Sequence, residues 1–231
     1  MVEKMVNLYV VFGSETELLE GVFKFEDSYF IRIYNNRVPK ALSNAADVNN
    51  FEDFKKVFDE KFKELAPKRI VFIGAAFLTQ KSLFLQETKE NIAKSLDVNI
   101  FQYVQLCHFI LPYMTKIKSG NFIYLSSFRA QSTARGITLY SASKAFGEKF
   151  FEVLGKENAA FGVYSTSIRM GYFDGRMTNL MEPDKIKKFV LSIGNRRLGK
   201  GEDLLGAIKF ILSNNYTNGG AIDLTGGISF G

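Results

Sequence analysis

Short apolar runs that end in glycine most constrain what this chain can fold into. Residues 9–12 form such a run before Gly13, and residues 69–73 form another before Gly74. Segments with helical spacing of apolar residues separate the runs. Continuous apolar strands that alternate with helices are typical of a parallel sheet buried on both faces. The sequence therefore predicts an α/β fold with a doubly wound, mostly parallel sheet of about seven strands and helices on both faces.

The residues that follow the predicted strands indicate where a ligand binds. Gly13, Gly74, Ser127 and Gly171 each follow the end of a predicted strand. In an open parallel sheet, ligands bind in the crevice outside the carboxyl ends of the strands. We therefore expect these four residues to lie at one edge of the sheet, around one site.

Tyr140 and Lys144 carry the strongest chemical signal in the chain. Residues four apart share one face of a helix, so the two side chains project into the same space. A lysine ammonium stabilises phenolate and lowers the pKa of tyrosine from about 10 toward neutral pH. Such a tyrosine can exchange a proton with a carbonyl or alcohol oxygen. The alternative is a surface lysine one turn after a half-buried tyrosine.

Three further segments give this pair a context. An apolar run at residues 121–125 ends in two serines, a predicted long helix contains Asn99, and residues 221–227 read Ala-Ile-Asp-Leu-Thr-Gly-Gly. With these segments the chain resembles the short-chain dehydrogenase/reductase family in its short, single-domain form. The resemblance extends from about Tyr9 to the C-terminus. It implies a Rossmann-like fold and a catalytic tetrad of Asn99, Ser127, Tyr140 and Lys144.

The resemblance also implies a role for each member of the tetrad. Tyr140 is the general acid and base, and Lys144 lowers its pKa while holding the ribose hydroxyls of the nicotinamide. Ser127 donates a hydrogen bond to the developing oxyanion. Asn99 positions a water that relays protons to Lys144. The expected reaction is hydride transfer between NADP(H) and a carbonyl or alcohol substrate.

The phosphate-binding turn departs from the family pattern Thr-Gly-x-x-x-Gly-x-Gly. Only Gly13 matches, since Glu17 and Leu19 stand at the later glycine positions. Ser14 and Glu17 have capping-box spacing, which predicts that a helix begins after Gly13. Side chains in place of glycine obstruct the approach of pyrophosphate, and carboxylates repel it. We therefore expect Gly13 and Ser14 to bind a dinucleotide more weakly than is usual for this fold.

Other cofactor contacts are expected by resemblance at the ends of the strands, in addition to Tyr140 and Lys144. They are Arg37, Asp47, Val48, Gly74, Ala75, Gly171 and Tyr172. An acidic residue after the second strand holds the ribose 2′-hydroxyl of NAD, whereas arginine accommodates a 2′-phosphate. No acid stands beside Arg37, which favours NADP over NAD; a solvated loop arginine is the alternative.

Composition excludes several other classes. A chain of 231 residues suits one domain over residues 1–231, and no apolar run reaches the roughly 18–20 residues of a membrane span. The single cysteine excludes an intramolecular disulfide, and the N-terminus lacks a signal-peptide pattern, which together predict a cytoplasmic protein. The net charge of +6 comes from scattered residues and predicts no nucleic-acid partner. His108 has no ligand neighbours in sequence, so we expect no metal site.

Two other functions stay open at this point. The altered phosphate turn allows a non-catalytic protein that only binds a ligand or partner. Sugar-nucleotide dehydration or epimerisation, as in longer relatives, needs an additional lobe for which this chain is too short.

The helices near residues 101–114 and 146–154 carry excess apolar surface, which predicts a homodimer or homotetramer.

Overall fold

Seven parallel strands form one sheet in the computed structural model, which describes residues 6–14, 16–34, 42–75, 82–175, 178 and 182–228. The strand order is β3-β2-β1-β4-β5-β6-β7. The strands are β1 (Asn7–Phe12), β2 (Ser28–Ile33), β3 (Ala45–Val48), β4 (Arg69–Gly74), β5 (Gly120–Ser127), β6 (Val163–Met170) and β7 (Gly220–Leu224). This arrangement confirms the predicted Rossmann-like sheet.

Six α-helices lie in the part of the chain that the structure describes. They are α1 (Phe51–Leu65), α2 (Lys89–Leu96), α3 (Gln102–Ile117), α4 (Thr138–Asn158), α5 (Pro183–Ser192) and α6 (Gly201–Ser213). Helix α1 begins at Phe51, because the Asn50 side chain caps it by accepting a hydrogen bond from Asp53 N at 2.8 Å.

Parallel register brings the ends of the central strands together. Phe12 of β1 lies beside Gly74 of β4, and Gly74 lies beside Tyr124 of β5. On the other side of β5, Ser127 lies beside Met170 of β6. The residues that follow these strands therefore share one edge of the sheet, where the crevice was expected.

The two faces of the sheet are covered unequally. On one face, α1, α3 and α4 bury a large aromatic core that includes Phe54, Phe58 and Phe151. On the other face, α6 packs over the central strands through Leu204 and Ile208, and the segment between β1 and β2 covers the rest. The sheet is thus doubly wound, with one thick helical layer and one thin layer.

The predicted helix after Gly13 is wrong. Two 3₁₀ turns, Glu17–Leu19 and Val22–Lys24, connect β1 to β2, and the first turn has no side-chain cap. Gly21 interrupts the segment, and a Cβ atom there would lie 2.9 Å from Leu205 Cδ2 of α6. The short connection therefore turns twice and packs closely on α6 instead of forming a helix.

The single long helix predicted around Asn99 is interrupted. A π-helical turn, Asp97–Phe101, separates α2 from α3, and Asn99 lies within it. Hydrophobic periodicity did not reveal this break, because a π turn continues the helix axis and shifts its register by only one residue. Such turns occur frequently at functional sites, and this one places Asn99 with only 1% of its surface exposed.

A pair of helical glycines tests the packing of α4 on β5. A Cβ atom at Gly147 would collide with the ring of buried Tyr124, whereas a Cβ atom at Gly206 of α6 meets nothing within 4 Å. We expect Gly147→Ala to lower the free energy of unfolding by about 1–3 kcal/mol through overpacking. The matched change Gly206→Ala should raise it by up to about 1 kcal/mol. Denaturant titration measures both, and a neutral or stabilising Gly147→Ala would contradict the described packing.

Candidate active site

Lys144 is a buried cation at the centre of the site. Its side chain is 3% exposed, and Nζ donates a hydrogen bond to the carbonyl oxygen of Leu125 at 2.8 Å. Nζ also lies 5.0 Å from the ring centroid of Tyr124 and 5.8 Å from that of Tyr140. Burial lowers the pKa of Lys144 to about 7, while the charge of Glu148 acts in the opposite direction. Lys144 can therefore gain and lose a proton near neutral pH.

Tyr140 and Ser127 lie together beside Lys144. The half-buried Tyr140 lies in the first turn of α4. Ser127 is the last residue of β5, and 7% of its surface is exposed. Burial raises the pKa of Tyr140, and a hydrogen bond with Ser127 and the charge of Arg129 oppose that rise. The expectation that Lys144 lowers this pKa is therefore wrong for the chain as described, because desolvation of the phenol dominates and burial also weakens the charge of Lys144.

Asn99 is buried in the π turn between α2 and α3. Its Nδ2 atom donates to Ser95 Oγ at 3.4 Å, within the same helical stack. The π turn that contains Asn99 packs against α4, the helix that carries Tyr140 and Lys144. Sequence spacing could not reveal this approach, since it depends on how α2 and α3 pack.

A second charged network lies one helical turn beyond Lys144. Glu148 accepts hydrogen bonds from Ser126 Oγ at 2.6 Å and from Arg169 Nε at 3.0 Å on each carboxylate oxygen. Arg169 lies beside Ser126 in the β5–β6 register and donates to Asp223 of β7 at 3.4 Å. Arg169 thus balances the Glu148 carboxylate, whose remaining field reaches Lys144.

Two backbone donors at the start of the phosphate turn are bonded within the protein. The backbone N–H groups of Gly13 and Ser14 both donate to the carbonyl oxygen of Ile33, at 2.9 and 3.2 Å. Gly13 has a φ of +74°, and a Cβ atom there would lie 2.6 Å from the carbonyl oxygen of Ala75. Leu19, at a later glycine position of the family pattern, is fully buried in the core. Packing within the chain therefore accounts for Gly13 and for Leu19.

Other residues predicted to contact the cofactor lie at the same edge of the sheet. A Cβ atom at Gly74 would lie 2.8 Å from the ring of Phe72, and one at Gly171 would lie 2.9 Å from Thr225 Cα. Ala75 N donates to the carbonyl oxygen of Phe12 at 2.9 Å. Ala75 thus links the end of β4 to β1, and Gly171 lets the segment after β6 pack closely on the segment after β7.

Asp47 is held by a buried arginine. Arg32 Nε and Nη2 donate to its two carboxylate oxygens at 2.7 and 2.8 Å, and only 2% of the Arg32 side chain is exposed. The bidentate pair joins β2 to β3, and Val48 ends β3 with its carbonyl accepting from Tyr34 N. A cofactor contact from Asp47 would have to share this carboxylate with Arg32. Arg37 lies outside the described residues.

Arg129 is a site residue that sequence reasoning missed. Its Nη2 donates to the hydroxyl of Tyr172 at 2.9 Å, and its guanidinium lies 4.4 Å from the ring centroid of Phe128. Tyr172 in turn stacks on Phe189 of α5, with 4.2 Å between ring centroids. The only sequence signal was the position of Arg129 two residues after Ser127, and its partner Tyr172 is distant in the chain.

Within the described residues, no group of three or more His, Cys, Asp or Glu side chains could hold a metal ion. No helix in the same part of the chain is long and apolar enough to cross a membrane.

The family is shown by a match to the family model described as short chain dehydrogenase. That match covers residues 30–186, which is more than half of the 231-residue chain. The chain therefore belongs to the short-chain dehydrogenase family of NAD(P)-dependent oxidoreductases, which act on carbonyl or hydroxyl groups. The match includes Asn99, Ser127, Tyr140 and Lys144 and begins after the phosphate turn.

Individual relatives agree with this assignment. An acetoacetyl-CoA reductase from a Synechocystis species is 27% identical over 190 residues, which cover 81% of this chain and 79% of the relative. Carbonyl reductase family member 4 from Xenopus tropicalis is 24% identical, over 97% of this chain and 98% of its own. A short chain dehydrogenase from Leptospira borgpetersenii, solved with NAD⁺, has a similar fold, with a TM-score of 0.83, 19% identity and coverage of 98% and 94%.

The burial of Lys144 predicts a specific pH dependence of stability. Its pKa is about 7 in the folded chain and ordinarily 10.5, so the unfolded chain binds more protons between these values. This lysine therefore makes the protein more stable as pH rises from about 7 to 10.5, and it costs most below pH 7. We expect Lys144→Met to raise the free energy of unfolding most at pH 6. The difference in this free energy between the variant and wild type should fall by on the order of 3 kcal/mol between pH 6 and pH 10.

Lys149→Met is the matched control, because Lys149 lies on the same helix with 71% of its side chain exposed. The difference in free energy of unfolding between Lys149→Met and wild type should stay nearly constant from pH 6 to pH 10. Urea titrations at several pH values measure both differences. A Lys144→Met advantage that is independent of pH would show that Lys144 is not a buried amine of lowered pKa.

Proposed function

We propose that this protein transfers a hydride between NADP(H) and a carbonyl or alcohol substrate. The observation that carries the proposal is the grouping of Ser127, Tyr140 and Lys144 at the carboxyl end of β5. Ser127 hydrogen-bonds Tyr140, and the buried amine of Lys144 is fixed on Leu125 one turn along the same helix face. A proton donor, an oxyanion donor and a group that titrates near pH 7 thus meet around one point.

Each residue has a step that its surroundings support. Tyr140 gives its proton to the carbonyl oxygen, and its raised pKa keeps the phenol protonated for this step. Ser127 donates a hydrogen bond to the same oxygen as negative charge develops. Lys144 returns a proton toward Tyr140, which its pKa of about 7 allows. Asn99 orders a water that supplies Lys144, the role that the family resemblance implies.

The nicotinamide end of the crevice suits a cofactor better than the phosphate end. The nicotinamide cofactor supplies or accepts the hydride when it is bound. Tyr140 and Lys144 would hold its ribose, and Gly171 and Tyr172 would border its ring at the end of β6. At the phosphate end, Gly13 and Ser14 already donate to Ile33. A dinucleotide must replace or share those bonds, so we propose weak binding.

The preference for NADP rests on the sequence. Arg37 follows β2, where an arginine can pair with a 2′-phosphate and an acid would hold the 2′-hydroxyl of NAD. Such a charge-assisted pair contributes roughly 1.5–3 kcal/mol, and it applies to NADP alone. The preference should therefore persist even if both nucleotides bind weakly.

We also propose that two or four copies assemble through the helices around residues 101–114 and 146–154. Phe101, Phe146 and Val153 are large apolar residues with 65%, 44% and 42% of their surfaces exposed. Phe146 stacks on Phe150 with 6.2 Å between ring centroids, so the apolar surface is continuous along α4. Apolar patches of this kind mark interfaces. Light scattering should give a multiple of 26.1 kDa, and a monomer mass at micromolar concentration would contradict the assembly.

The family resemblance supports a small-molecule carbonyl or alcohol as substrate, and the cysteine content supports a cytoplasmic location. The single cysteine, Cys107, is buried and free, which suits a reducing compartment. Cell fractionation with an antibody against the chain tests the location, and recovery from a membrane or secreted fraction would contradict it.

A non-catalytic binding protein is the second candidate. The observation in its favour is the phosphate turn, whose Gly13 and Ser14 donors are occupied by Ile33. Against it stands the cost of burying Lys144 beside Tyr140, which a protein without proton transfer has no physical need to maintain.

Removal of one hydroxyl separates the two candidates. We expect Tyr140→Phe to lower ketone reduction with NADPH by about 10²–10⁴-fold, because it removes the proton donor and leaves the ring. Tyr216→Phe is the control, since Tyr216 is fully exposed far from the site, and it should keep wild-type activity. Absorbance of NADPH over a panel of ketones measures the rates. Near wild-type turnover by Tyr140→Phe would refute the assigned role.

A further inference from the structure

Arg129 is tied to the catalytic serine by the backbone. It lies in the 3₁₀ turn Phe128–Ala130, and its N–H donates to Ser127 Oγ at 3.2 Å. This bond caps the turn and fixes the half-buried Arg129 beside the point where the substrate carbonyl meets Ser127. The guanidinium therefore belongs to the same edge of the crevice as the reacting group.

The partners of the Arg129 guanidinium are all neutral. Nη2 donates to Tyr172 at 2.9 Å, and Nη1 donates weakly to Ser132 Oγ at 3.4 Å and to the carbonyl oxygen of Thr133 at 3.5 Å. Among the residues that the structure describes, no carboxylate forms an ion pair with Arg129. The charge is positioned by neutral groups and is not compensated by them.

Arg129 also has donors to spare. A guanidinium carries five N–H groups, and the Nε–H and one Nη2 hydrogen have no partner within the described ranges. Nε and Nη2 form one edge of the planar group, and that edge matches the two oxygens of a carboxylate. The ring of Phe128 lies against the guanidinium, which limits how it can turn.

The field of Arg129 reaches the reaction centre. Its positive charge opposes the rise in the pKa of Tyr140, so the guanidinium lies within electrostatic range of that hydroxyl. A substrate whose carbonyl oxygen contacts Tyr140 and Ser127 would present its neighbouring atoms to Arg129. An anionic group two or three bonds from the carbonyl carbon would neutralise the charge.

We propose that Arg129 binds a carboxylate of the substrate, so that the substrate class is oxo acids and the corresponding hydroxy acids. This inference rests on the proposed function and names the substrate class of that site. Arg129 then contacts substrate directly, and Tyr172 positions Arg129 through the hydrogen bond to its hydroxyl.

A pair of substrates that differ only in charge tests the inference. In acetoacetate, one methylene group separates the reacting ketone carbon from a carboxylate. Ethyl acetoacetate has the same ketone, but its ester carries no charge. We expect Arg129→Gln to lower kcat/KM for acetoacetate relative to the ester by about 10- to 100-fold, the value of one charge-assisted bond pair. Any effect of Arg129 on Tyr140 acts on both substrates and cancels in this ratio.

Two control variants make the ratio specific. Arg135→Gln removes an exposed arginine from the same loop and should leave the ratio unchanged. Tyr172→Phe removes only one partner of Arg129 and should lower the ratio by a few-fold at most. If Arg129→Gln lowers both substrates equally, the inference is overturned while the proposed function stands.

Binding without cofactor separates failure of the inference from failure of the function. We expect acetoacetate to raise the melting temperature of wild type but not of Arg129→Gln, with sodium chloride at equal ionic strength as the blank. This shift without reduction of any ketone would support the carboxylate site and refute the proposed function. Equal shifts in both proteins, or none in either, would overturn the carboxylate site.

Discussion

The burial of the Lys144 amine is the constraint on which the site depends. Its hydrogen bond to Leu125 holds α4 against the end of β5, and this places Tyr140 next to Ser127. The cost of removing an ammonium from water is met by lowering the pKa of the amine and by the field of Glu148, which lies one turn further along the helix. The burial of Lys144 therefore both fixes α4 on β5 and lowers the pKa of the amine.

The two halves of the crevice have different characters. At the catalytic half, polar groups from β5 and α4 converge with hydrogen bonds among themselves. At the phosphate half, the donors of Gly13 and Ser14 end on Ile33, and the 3₁₀ turns of the β1–β2 connection replace the helix that usually presents its N-terminus to pyrophosphate. The family match begins after this connection, at residue 30, which agrees with the altered local structure.

What the sequence could predict was local or periodic. Strand positions, the Asn50 cap and the shared face of Tyr140 and Lys144 follow from apolar runs, capping chemistry and four-residue spacing. The missing helix could not be read in this way, because capping-box spacing at Ser14 says nothing of how closely Gly21 must pack on α6. The raised pKa of Tyr140 likewise depends on burial, which spacing does not report.

Tertiary contacts produced the remaining features. Arg129 is positioned by the hydroxyl of Tyr172, which follows β6 and is 43 residues away in the sequence. The ion pair of Glu148 and Arg169 joins α4 to β6. The ion pair of Arg32 and Asp47 forms because the two residues lie side by side on β2 and β3. Each of these pairs is distant in sequence and adjacent only once the sheet has formed.

We infer that a catalytic site of this family persists beside an altered phosphate turn. Calorimetric titration of the wild-type chain with NADP and with NAD tests it most directly. We expect NADP to bind more weakly than is usual for this fold, NAD to bind more weakly still, and Arg37→Ala to remove the difference. Binding of neither nucleotide, at concentrations up to several millimolar, would contradict it.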